Sequence, residues 1–113
     1  MGVKDPLAQV SDLFQQAGVE PRFAAELVGL AEMAMRKGAD YSPGADPYEN
    51  AKSSEGLGVP AWLGIAIRMG DKFRRLQALA LNGALKNEPI EDTLTDIAVY
   101  ALICKIIRSE AVA

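Results

Sequence analysis

Residues 89–109, PIEDTLTDIAVYALICKIIRS, decide how the chain is read, because they set carboxylates into what is otherwise a core-grade apolar helix. Pro89 suits the first helical position, where its missing N–H costs nothing, and Glu91 and Asp92 suit the positive end of the helix dipole. Asp96 is different. It stands two turns in, among Leu94, Ile97, Ala98, Val99 and Ala101, where a bare ionised carboxylate would be expensive. The sequence therefore predicts a partner for it: a metal ion, or an ion pair with Arg68 or Arg75 that locks helix register. Asp92 and Asp96 lie four apart and share a face, which Tyr100 and Ile103 continue.

Working back from this helix, Pro60 opens another that runs to about Asn82, with Trp62, Ile65, Met69, Leu76 and Leu79 as its buried seam and Gly83 as its end. Gly70 sits inside it at a cost of roughly 1 kcal/mol against alanine, so a close helix crossing or a ligand is expected there. Arg68, Asp71, Lys72 and Arg75 fall at helical spacings and form one polar edge. Such an edge is either a solvated face or a row of cations meeting an anion. The short connection makes the two helices antiparallel neighbours, which would let Asp71 join Asp92 and Asp96 as a third carboxylate.

Further upstream, Asp5-Pro6 opens a helix carrying Leu7, Val10, Leu13 and Phe14 on one face, and Gly18 stops it. Glu20-Pro21 opens a second, with Phe23, Leu27, Leu30, Ala31, Ala34 and Met35 as its stripe and Gly38 as its end; Glu26 and Glu32 do not share a tight face. Residues 39–47, ADYSPGADP, are the one long irregular stretch, after which Asp46, Pro47 and Glu49 read as the capping box of a short helix over 48–55, ended by Gly56 and Gly58. No strand alternation, hairpin signal or internal repeat occurs. The fold expected is a single-domain all-α bundle of four to five helices, the last two long and antiparallel.

Composition narrows the chemistry. One domain is what 113 residues allow, and the net charge of −3 argues against a nucleic-acid duplex as partner. The lone Cys104, set among apolar residues, excludes a disulfide framework and reads as core. With no histidine, His-based acid–base work and His-ligated zinc are excluded, so only carboxylates could hold a metal, and that points to magnesium or manganese. The apolar run over 97–107 is broken by Lys105 and too short to span a bilayer, and residues 1–6 lack a signal-peptide core. A cytoplasmic protein without a membrane partner is expected.

Asp71, Asp92 and Asp96 would suit a magnesium ion that takes the rest of its shell from substrate phosphates, with Arg68, Lys72 and Arg75 as phosphate partners. Tyr41, Tyr48 and Tyr100 could stack on a base or reach phosphate through their hydroxyls, whereas Trp62, just after Pro60, reads as core. No glycine-rich phosphate loop, dinucleotide fingerprint or zinc spacing is present.

The segments Lys37-Gly38-Ala39-Asp40-Tyr41, Asp46-Pro47-Tyr48-Glu49-Asn50, Arg68-Met69-Gly70-Asp71-Lys72 with Arg75-Leu76, and the block from Glu91 to Ala101 occur in that order. Together they resemble a small helical domain family of phages and bacteria associated, by genomic context, with nucleotide modification. The last block is also similar to the second acidic motif of MazG-like all-α nucleoside triphosphate pyrophosphatases, Asp96 matching the motif's aspartate and Tyr100 its aromatic. The resemblance implies a helical bundle, commonly oligomeric, that binds a nucleotide through magnesium. Thr93 stands where the pyrophosphatases carry glutamate, and their first motif, two glutamates three apart, has no counterpart: Glu26 is followed at that spacing by Gly29.

The expectation is thus a homo-oligomeric, nucleotide-phosphate-binding helical domain. Whether it turns the nucleotide over as a pyrophosphohydrolase or only sequesters or senses a nucleotide, a cyclic one included, between subunits is open at this level, and no catalytic residue is assigned. A purely structural helical oligomer is the third reading.

Overall fold

The computed structural model describes residues 5–38, 48–83 and 89–112, and all the regular structure in them is helical. Four α-helices, α1 (Pro6–Gln16), α2 (Pro21–Gly38), α3 (Ala61–Asn82) and α4 (Ile90–Val112), are joined by a 3-10 helix at Asn50–Leu57. The irregular stretch 39–47, with Tyr41 and the Asp46 cap, lies outside the described residues. The chain divides into two compact units, 1–45 and 46–113. No helix among the described residues is long and apolar enough to cross a membrane.

The first unit is a helical hairpin in which α1 packs on α2. Its turn is built locally. Gly18 adopts φ +77°, a left-handed conformation that suits glycine, and its N–H reaches the Gln15 carbonyl at 3.1 Å while Val19 N–H reaches that of Phe14 at 3.0 Å. Glu20 then caps α2, its Oε2 accepting the Phe23 N–H at 2.8 Å. The Arg22 guanidinium at 2.7 Å, with that Phe23 N–H, holds the Glu20 carboxyl below its ordinary value. Asp5 makes no side-chain cap bond, so Pro6 alone marks the start of α1. Ala24 is buried, but Leu13 and Phe23, expected on the inner stripes, are 59% and 61% exposed. Two helices have a single line of contact, which is too narrow to cover the whole of both stripes.

The second unit is organised by α3 and α4. Near the start of α3 the Trp62 carbonyl accepts the Cys104 thiol at 3.2 Å, and two to three turns on Lys72 meets Asp96 at 2.8 Å. Partners thus advance along α3 as they retreat along α4, which makes the helices antiparallel. Ala61, Ile65 and Ile107 form the buried centre, with Tyr48, Ala51, Trp62, Tyr100, Ile103 and Cys104 packed around it. The expected seam holds: Ile65 is fully buried, and Trp62, Met69, Leu76 and Leu79 are partly so. Gly83 closes α3 at φ +79°, its N–H on the Leu79 carbonyl at 2.8 Å.

The segment before α3 differs from the sequence expectation in kind. A short helix over 48–55 becomes a 3-10 helix displaced to Asn50–Leu57 and ended by Gly58 at φ +77°. Ser53, Ser54 and Gly56 are poor α-formers, and the tighter winding turns Ser54 so that its Oγ donates to the Val59 carbonyl at 3.1 Å. This helix lies on α3 at Gly64, where an added Cβ would stand 2.6 Å from the Ser54 Cβ. The close approach expected at Gly70 is therefore at Gly64, one and a half turns earlier. Nothing lies within 4 Å of a Cβ placed on Gly70.

Candidate functional site: the polar edge of α3

The helical period lines Gly64, Arg68, Asp71 and Arg75 along the edge of α3 beside its buried seam, and sets Lys72 one step closer to α4. Arg68, Asp71 and Lys72 each find a different neighbour. Arg68 donates from Nη2 to Ser53 Oγ on the 3-10 helix at 3.2 Å. Asp71 pairs with Arg74 one turn on, both side chains well exposed. Lys72 turns inward and reaches Asp96 Oδ2, its side chain only 15% exposed against 38% for the aspartate.

The partner required by Asp96 is thus a cation, but it is Lys72, not Arg68 or Arg75. An extended lysine stem can run along the apolar seam and bring its ammonium to the rim, which a residue on the outer edge cannot do. The pair is half-desolvated, and it crosses the interface between α3 and α4, so it both satisfies the acid and marks the register.

The remaining candidates are dispersed. Asp92 is exposed in the first turn of α4, where it complements the helix dipole. Among the described residues no group of three or more acidic or cysteine side chains is placed to hold a metal ion. Asp71, Asp92 and Asp96 are not gathered into one cluster. Tyr48 and Tyr100 lie half-buried against the Ala61–Ile65–Ile107 centre. Tyr41 is outside the described residues.

Thr93 is fully buried, on the side of α4 that faces away from solvent. A glutamate would have to be buried there, whereas the threonine hydroxyl is satisfied: among the described residues no buried side-chain nitrogen or oxygen lacks a partner.

Sequence reasoning did not find one concave feature among the described residues of this unit. A cleft of about 310 Å³ opens where α3 begins and α4 ends, lined by Lys52, Glu55, Pro60, Ala61, Trp62, Ile107, Glu110 and Ala111. Lys52 and Glu110 face each other across it at 3.3 Å, and the Arg108 guanidinium sits 5.0 Å from the centre of the Trp62 ring. Glu55 adds a second acid to its lining, and it is distant along α3 from Lys72. Residues from three elements build it, which no spacing within one helix could have revealed. Comparison with known proteins finds no matching family model, no matching curated protein and no matching solved structure.

Proposed function

We propose that this chain is a nucleotide-binding helical domain that meets phosphate through the polar edge of α3. The observation that carries the reading is the grouping of Arg68, Lys72 and Arg75 along that edge, with Lys72 held on Asp96. An arginine fork matches phosphate oxygens, and a lysine already positioned at the rim can share its donors between Asp96 and an incoming anion. Binding without turnover is favoured over hydrolysis by the arrangement of the acids. Asp71 and Asp96 are each engaged by a cation, and the described acids do not build a magnesium cage. Magnesium, in this reading, arrives on the nucleotide's own phosphates, as is usual for an ion that keeps several waters.

The test is a thermal-shift screen of nucleoside mono-, di- and triphosphates and cyclic nucleotides, with and without magnesium. A stabilising shift that Arg68→Ala and Arg75→Ala each abolish is expected. No shift with any nucleotide would leave a structural helical domain. Release of phosphate or pyrophosphate only with magnesium, lost in Asp96→Asn, would turn the binder into a hydrolase.

A further inference from the structure

Among the described residues of 46–113, α4 packs chiefly against α3, with Glu110 also meeting Lys52 of the 3-10 helix. Its opposite face is not the polar face of a surface helix. Leu94 and Leu102 are 50% and 53% exposed there, and Ala101 is exposed between them. Along that face the helical period brings together Glu91, Leu94, Thr95, Ala98, Ala101, Leu102 and Lys105.

This row is arranged symmetrically about Ala98. Thr95 and Ala101 lie three residues to either side, Leu94 and Leu102 four to either side, and Glu91 and Lys105 seven to either side. A row with such a centre is complementary to itself when turned end for end. In a two-fold contact residue i of one copy meets residue j of the other while j meets i, and here that rule gives a leucine against a leucine twice and an acid against a base twice.

We propose that the outer face of α4 pairs with the same face of a second copy of this chain, antiparallel and centred on Ala98. Leu94 of each copy then covers Leu102 of the other, Ala98 sits at the axis where its small side chain lets the helices approach, and Glu91 closes on Lys105 at both ends. The charges select the direction. A parallel pairing would set Glu91 beside Glu91 and Lys105 beside Lys105, and like charges across an interface work against it. The helix dipoles favour the same antiparallel arrangement. The two α4 helices would lie at the centre of the pair, each with its own α3 on the far side, so that both faces of α4 are covered.

Sedimentation equilibrium of the full chain tests this directly. The wild type is expected at about twice the 12.1 kDa of one chain. Leu94→Glu should sediment as a monomer with its helical circular dichroism retained. Glu91→Lys and Lys105→Glu should each weaken the dimer about tenfold, since a two-fold contact feels every substitution twice, and the double variant should recover most of that loss. In a Cys104→Ala background, Ala98→Cys should oxidise to a cross-linked dimer. A wild type that stays monomeric overturns the proposal. A dimer that survives Leu94→Glu, shows no rescue in the double charge reversal, or fails to cross-link through residue 98 overturns it equally.

Discussion

The two helical hairpins of this chain are stabilised by different kinds of interaction. In the α1–α2 hairpin the described hydrogen bonds are local: Gly18 and Val19 close α1, and Glu20 caps α2 two residues later. In the α3–α4 hairpin the decisive partners are remote in sequence, Trp62 with Cys104 and Lys72 with Asp96. The first is specified by turn chemistry and buries little; the second is specified by side-chain packing across the interface. Local signals determine where helices start and stop, but only remote contacts give cooperative stability, because they are lost together when the helices part.

The sharpest way to break the contrast is Ile65→Ala. Ile65 is fully buried at the centre of the second hairpin, and its truncation should cost about 3 kcal/mol in chemical denaturation. A comparable loss from Leu13→Ala, at a largely exposed position of the first hairpin, would refute the distinction.

Gly64→Ala should come next, at about 2 kcal/mol. The new Cβ meets the Ser54 Cβ, which cannot retreat without lifting the 3-10 helix from α3. Asp96→Asn should lower stability by about 1 kcal/mol, as expected for a half-exposed pair whose lysine loses its partner. Gly70→Ala should move in the opposite direction, with a gain of at most about 1 kcal/mol, since the site is open and alanine is the better helix former. Opposite signs for two glycines of one helix would be read most clearly in parallel urea titrations.

The smallest effect belongs to the first hairpin and is a pH dependence. Glu20 has a carboxyl held below its ordinary 4.5 by Arg22 and the Phe23 N–H, so folding favours its ionised form. Its contribution should be fully present above the ordinary carboxylate range and vanish as the pH falls through the lowered value. Glu20→Gln should remove that dependence in an acid titration followed by circular dichroism. An unchanged acid limb would show that the cap does not stabilise α2.

Much of this was legible in the residues. Pro6, Gly18, Pro21, Gly58, Pro60 and Gly83 mark helix ends by rules that need no tertiary knowledge, and they locate most of the observed boundaries. The seam of α3 was legible from its period, and so was the need of Asp96 for a cation. The identity of that cation was not. Arg68, Lys72 and Arg75 are nearly equivalent by spacing, and only the rotation of α3 against α4 brings Lys72 inward. The 3-10 winding escaped for a similar reason, because Ser54 is released from the α pattern by the carbonyls of Val59 and Pro60, which the fold brings to it. Gly64 and Gly70 look alike on paper and differ only in what stands opposite.

The thiol of Cys104 rests on the Trp62 carbonyl, at the junction of the two long helices and in a chain with no other cysteine. A bulky alkylating reagent must draw that sulfur away from the carbonyl before it can form a bond. The native chain therefore carries its own chemical clock: the rate of thiol labelling reports how readily this contact between α3 and α4 opens, with no fluorophore or engineered probe to disturb the packing it measures.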